Sequence, residues 1–140
     1  MTPDEALEFV TGHRLGVLVT VRGNGRPQTS NVVYAVRGKF IDVSLTDGRA
    51  KTRNLRRDFR ATLHVSSPDL SAWAAVEGDA ELSAVTATPG DQTGELLADL
   101  YRAISGQEHP NWPEFHRAMV DEQRLLLTIF VTHGYGGGAG

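Results

Sequence analysis

The sequence predicts a mainly β fold with peripheral α-helices, in which antiparallel strands close into a small barrel. Three observations lead there. Six runs have strand character and are separated by short turn signals. Helical periodicity is confined to short stretches that flank them. A long apolar run, Arg124 to His133, arrives after the helices and pairs back into a sheet already laid down, and closure is how such antiparallel strands avoid open edges. At 140 residues, with 40% hydrophobic and 22% charged, the composition is that of an ordinary globular chain. One domain is expected over 1–133, followed by a mobile Gly-rich tail, 134–140, with Tyr135 its one anchor.

The elements follow in order. Thr2-Pro3-Asp4-Glu5 is a capping box with Pro at the first helical position, so a short helix runs to about Val10 and stops at Gly12. Leu15 to Val21 is a buried strand closed by the turn Gly23-Asn24-Gly25. Pro27 to Val36 returns as a second strand, Arg37-Gly38-Lys39 turns, and Phe40 to Ser44 is a third, in meander order. The basic segment Arg49 to Asp58 reads as a short crossover helix. Ala61 to Ser66 and Trp73 to Leu82 alternate as fourth and fifth strands. Leu96, Leu97, Leu100, Tyr101 and Ile104 then recur at helical spacing behind Thr88-Pro89-Gly90-Asp91, and Gly106 ends that helix. His109 to Pro113 forces a loop, and Phe115 to Val120 is a last short helix before the final strand.

Composition excludes several kinds of chemistry. There is no cysteine, hence no disulfide, thiolate nucleophile or thiolate metal site. The five histidines show no metal-binding spacing, and no nucleophile elbow, Walker sequence or dinucleotide fingerprint is present. No metal is therefore expected, and any chemistry must come from a bound cofactor. The acidic start lacks an export-signal pattern and no run reaches the ~18 apolar residues of a membrane span, so the expectation is a cytoplasmic protein without a membrane partner. A net charge of -3 and few aromatics beside the basic patch argue against nucleic acid as a partner.

Against that background the basic segment stands out. Arg49-Ala50-Lys51-Thr52-Arg53-Asn54-Leu55-Arg56-Arg57-Asp58-Phe59-Arg60 holds six of the fourteen Lys and Arg residues and carries formal charge +5. On a helix, Arg49, Arg53, Arg56 and Arg60 fall near one face, and Lys51, Asn54, Leu55 and Asp58 near another. Leu55 docks the helix, leaving Lys51 and Asn54 toward the strand ends. Cations at a helix start oppose the helix dipole, so for Arg49 and Lys51 an anion, with a phosphate the obvious one, is favoured over the alternative of a solvated basic face. For Arg56, Arg57 and Arg60 two readings stand open, a solvated basic face or a wider anion surface. On strand two, Gln28, Ser30 and Asn31 bring polar groups into a segment suited to burial, where they either meet a planar heterocycle or face water. Trp73, with Glu77 behind it, either closes the core or stacks on a ligand.

The order of elements resembles the flavin-binding split β-barrel (the FMN-binding split barrel), the fold of the pyridoxamine 5'-phosphate oxidase-like superfamily. More narrowly, Gly25-Arg26-Pro27-Gln28-Thr29-Ser30-Asn31-Val32, the stretch Arg49 to Asp58, Val76-Glu77-Gly78 and Arg124-Leu125-Leu126-Leu127-Thr128 resemble the actinobacterial branch that uses the deazaflavin coenzyme F420. The resemblance implies that Gln28, Ser30 and Asn31 line the deazaflavin ring and ribityl chain. It implies that Arg49, Lys51 and Asn54 hold the phosphate and the start of the glutamate tail, with Ser44 and Thr46 as neighbours. It further implies a homodimer with cofactor sites at the interface, Trp73 and Glu77 approaching from the other subunit. FMN offers one phosphate, whereas coenzyme F420 adds carboxylates that surplus arginines suit. The implied activity is transfer of a hydride from reduced deazaflavin to a conjugated, electron-poor small molecule, with no catalytic side chain demanded. The alternatives are an FMN-dependent oxidase or reductase of the same fold and a non-catalytic F420- or flavin-binding protein.

Overall fold

A computed structural model of the chain describes residues 1–138. Helix α1, Pro3–Thr11, begins as expected: Glu5 N–H donates to Thr2 Oγ1 (3.2 Å) and Thr2 N–H to Glu5 Oε1 (3.0 Å), which satisfies two amides that the first turn leaves free. Its buried side chains are Ala6 and Val10, and it packs across two long strands, β6 and β7, defined below.

Strands β1 (Leu15–Val21) and β2 (Pro27–Val33) form a hairpin, and β3 (Ala35–Arg37) and β4 (Phe40–Thr46) form another. After helix α2 (Ala50–Arg57) come β5 (Arg60–Ser66) and β6 (Ala72–Leu82). Helices α3 (Gln92–Ser105) and α4 (Trp112–Asp121) follow, then β7 (Arg124–Gly138). The seven strands make one sheet in the order β2-β1-β5-β6-β7-β4-β3, antiparallel at every pairing. Strands β2 and β3 are the two edges of that sheet, yet Tyr34 alone separates them in the chain. One residue spans only ~3.5 Å, so the sheet must curl until its edges meet. Tyr34 fastens the junction from inside: it is fully buried, its hydroxyl donates to the Val10 carbonyl (2.6 Å), and its N–H donates to the Arg14 carbonyl (2.9 Å).

Three expectations are corrected. The run read as one strand from Pro27 to Val36 is two, because the chain passes from one sheet edge to the other at Tyr34 and cannot keep a single partner. The meander is corrected for the same reason: only the end of the expected second strand, Ala35 and Val36 of β3, pairs with β4, whose other neighbour is β7. The tail expected to be mobile from Gly134 instead continues β7 to Gly138, paired with β6 from Gly134↔Val76 to Gly138↔Ala72. Its glycines let other chain segments come close. A Cβ on Gly134 would lie 3.0 Å from Ala6 Cβ of α1, and one on Gly136 would lie 2.5 Å from the Trp73 carbonyl oxygen. Residues 139–140 of that expected tail lie outside the described residues.

The barrel interior is filled by Leu18, Ile41, Leu45, Leu63, Val76, Leu125, Leu127 and Ile129, none more than 0% exposed. Each contributes roughly 1.5–3 kcal/mol on burial. A second cluster lies outside the barrel, where α3 and α4 set Leu97, Leu100 and Phe115 over Leu126 of β7. The helices thus cover the β4–β7 half of the outer surface. The half made by β2, β1 and β5 is bare, with Leu15 69% and Val33 44% exposed. Among the described residues no helix is long and apolar enough to cross a membrane.

Candidate cofactor site

Helix α2 is oriented by three buried residues. Leu55 packs into the barrel cluster, the Thr52 hydroxyl donates to the Thr46 carbonyl (2.8 Å), and Asn54 Nδ2 donates to Thr20 Oγ1 (3.1 Å). With that face fixed, the helix start turns toward β4. Arg49 is the N-cap residue, its side chain caps nothing, and the first turn holds no acid. With its two caps the helix spans the expected Arg49 to Asp58. Asp58 is its C-cap and Arg60 belongs to β5, so Arg60 does not extend the arginine stripe.

The helix start opens into a cavity of about 340 Å³ lined by Asn31, Ser44, Thr46, Arg49, Lys51 and Arg124, with Val32, Val33 and Val43 of the sheet and Leu100 and Ile104 of α3 as its apolar wall. Sheet register explains the convergence, because Thr46 of β4 faces Arg124 of β7 and Ser44 lies two residues along on the same face. Among the described residues, three cations and no carboxylate line the space. Lys51 registers the crowding: partial burial, then Arg49, then Arg124 push its ammonium below the ordinary lysine value. Neither Arg49 nor Lys51 makes a side-chain hydrogen bond or ion pair among the described residues. By contrast Arg53 donates to the Gly48 carbonyl (2.6 Å), Arg56 pairs with Asp47 (2.6 Å), Arg57 donates to the Val21 carbonyl (2.8 Å) and Arg60 pairs with Asp58 (2.7 Å). An uncapped helix start facing unpaired cations is a donor set that fits a phosphate group.

The fold and this site can be set beside known proteins. Residues 2–133 match the family model described as pyridoxamine 5'-phosphate oxidase. The chain belongs to the pyridoxamine 5'-phosphate oxidase family. Solved structures of low identity share its fold. The conserved hypothetical protein Rv2991 from Mycobacterium tuberculosis is 21% identical with a TM-score of 0.75, the match covering 99% of this chain and 85% of that one. A structure named F420 reductase is 24% identical with a TM-score of 0.64, covering 87% and 89%. A heme binding protein from Mycobacterium smegmatis is 22% identical with a TM-score of 0.70, covering 98% of this chain but 54% of that one.

Within this member of the pyridoxamine 5'-phosphate oxidase family, five of the ten residues singled out from sequence meet in the one cavity: Asn31, Ser44, Thr46, Arg49 and Lys51. The other five do not line it. Gln28 and Ser30 alternate with Asn31 along β2, so they take the half-buried face while Asn31 takes the exposed one. Asn54 is buried at 6% exposure and its amide is engaged on both sides, donating to Thr20 and accepting from Arg57 Nη2 (3.1 Å). That makes it a fastener of α2. Trp73 stacks on His64 (centroids 5.6 Å apart) and meets Tyr135 edge-on (5.9 Å). Glu77 lines a separate cavity of about 350 Å³ with Arg60, Thr62 and Asp79.

Sequence reading missed Arg124, Leu100 and Ile104. Arg124 opens the final strand and the Arg124-to-Thr128 motif, but nothing local in the sequence states that this strand pairs with β4 in the register that carries Arg124 to Lys51. A larger groove of about 500 Å³ runs over the bare sheet face past Leu15, Val17, Asn31, Val33, His64 and Leu70. Among the described residues it is lined by no lysine or arginine, so it does not compete for the phosphate. Asn31, Val32 and Val33 line both spaces, which places β2 between them.

Proposed function

We propose that this chain is a coenzyme F420-dependent oxidoreductase acting on a conjugated, electron-poor small molecule. The observation that carries the reading is the cation cavity, in which Arg49 and Lys51 would hold the cofactor phosphate beside the uncapped start of α2. Ser44, Thr46 and Asn31 offer hydroxyl and amide groups along the same wall. When bound, the reduced deazaflavin supplies the hydride, and the substrate takes its proton from solvent. The protein's part is to orient the ring, leave one face open and exclude water. The motifs over Gly25 to Val32 and Arg49 to Asp58 support the deazaflavin over FMN.

We propose in addition that the protein is a homodimer. The bare apolar face with Leu15, Val33 and the 75%-exposed Leu70 is the surface suited to a second copy, and Trp73 and Glu77 lie on that side of the sheet. A second copy there would bring these two residues toward its neighbour's cofactor. A cytoplasmic location belongs to the same proposal.

A second reading, FMN as the cofactor, is favoured by one observation. Arg53, Arg56, Arg57 and Arg60 are engaged within the protein, so fewer cations remain for a polycarboxylate tail than the sequence suggests. A side-by-side fluorescence titration with F420 and FMN separates the two. Micromolar or tighter F420 binding with much weaker FMN binding is expected, and the reverse order moves the protein to the flavin-dependent reading. Tight F420 binding without turnover across a panel of enones and quinones would instead indicate a carrier.

A further inference from the structure

The same cavity holds a third cation that the sequence motifs did not assign, and its surroundings say what it does. Arg124 opens β7 opposite Thr46, and its charge is among the causes that lower the Lys51 pKa. Its guanidinium is aimed. Glu122 Oε1 accepts from Nε (3.1 Å) and from Nη2 (2.9 Å), so Glu122 holds one edge of the fork. Glu122 itself does not line the cavity. The remaining corner, Nη1, has Ser44 Oγ as its partner at 3.4 Å, near the outer limit for a hydrogen bond. A guanidinium locked on one edge and loosely held on the other keeps a directed donor facing the space between Ser44 and Lys51.

We propose that Arg124 is a binding residue for the anionic part of the cofactor, completing with Arg49 and Lys51 a three-cation site, and that Glu122 positions it. An arriving phosphate oxygen would take over the long Ser44 contact while the Glu122 edge stays in place. The proposal rests on the cofactor reading above and adds to it a residue contributed by the last strand. The engagement of Arg124 by Glu122 does not neutralise this role, because Glu122 Oε1, accepting from Nε and Nη2, leaves the Nη1 protons with only the long Ser44 contact.

The test compares FMN with riboflavin, the same ring system without the phosphate, on wild type, Arg124→Ala and Arg124→Lys, with thermal melts to confirm folding. Arg124→Ala is expected to bind FMN about tenfold to a hundredfold more weakly. Its riboflavin affinity should stay at the wild-type level, and its FMN affinity should fall less steeply with added salt. Arg124→Lys should fall between, keeping the charge but losing the fork. A parallel F420 titration should show the same ranking. Unchanged FMN and F420 affinity in Arg124→Ala overturns the proposal and leaves the cofactor reading intact. Equal losses for FMN and riboflavin also overturn it, since they mark a structural role. Failure of wild type to bind either phosphate-bearing cofactor overturns the cofactor reading and this proposal with it.

Discussion

The two ends of helix α2 carry similar residues and have different fates. At its C-terminal end Arg56 and Arg57, with Arg60 beyond, find partners in Asp47, the Val21 carbonyl and Asp58. At its N-terminal end Arg49 and Lys51 find none among the described residues, and they face a cavity lined by another arginine. The C-terminal cations also agree with the helix dipole, whereas the N-terminal ones oppose it. The lesson is that a count of cations locates an anion site only to within the segment. Within the segment, the cations that line the cavity are the ones left without partners after folding.

Substitutions at the two ends should therefore separate binding from stability. Lys51→Ala is expected to weaken cofactor binding by roughly 1.5–3 kcal/mol through a lost charge-assisted bond, with the melting temperature of the free protein unchanged or raised because like charges are relieved. Titration and thermal melting on the same preparation check both halves. Asn54→Ala should do the opposite. Removing the amide leaves the buried Thr20 hydroxyl without its donor and Arg57 with the Val21 carbonyl alone, costing about 1–3 kcal/mol of stability by urea unfolding, and any loss of cofactor affinity should be smaller than for Lys51→Ala.

The pH response offers a subtler break. The folded-state pKa of Lys51 is below the ordinary 10.5, so between the lowered value and 10.5 the unfolded chain binds more protons than the folded one. The contribution of Lys51 to the stability of the free protein therefore rises with pH across that window. Cofactor affinity should fall across the same window as the ammonium is lost. Opposite slopes in melting temperature and affinity, both flattened in Lys51→Ala, are the expected outcome. The smallest effect is predicted for Arg56→Ala. Its pairing with Asp47 is about half exposed, with side-chain exposures of 45% and 41%, and contributes only ~0–1 kcal/mol to stability. Cofactor affinity should not change.

Much of this architecture was legible in the sequence, and the failures share one cause. The capping box of α1, the Asp91-to-Gly106 bounds of α3 and the docking role of Leu55 are local signals, and each is where it was expected. What could not be read was pairing at long range. The division at Tyr34, the pairing of β4 with β7 and the ordering of Gly134 to Gly138 by β6 and α1 all depend on a partner distant in the chain. The site divides in the same way. Arg49 and Lys51 were visible because cations at a helix start conflict with local electrostatics. Arg124 was not, because its relevance depends on the β4–β7 register. Gln28 and Asn31 could have been separated by strand alternation alone, since residues at an odd spacing face opposite ways.

The claim that the N-terminal cations of α2 serve a ligand while the C-terminal ones serve the fold is tested most directly by titrating F420 into wild type, Lys51→Ala and Arg56→Ala at one salt concentration. Wild-type affinity is expected for Arg56→Ala and a loss of at least about tenfold for Lys51→Ala. Equal losses in the two variants, or none in either, would contradict it.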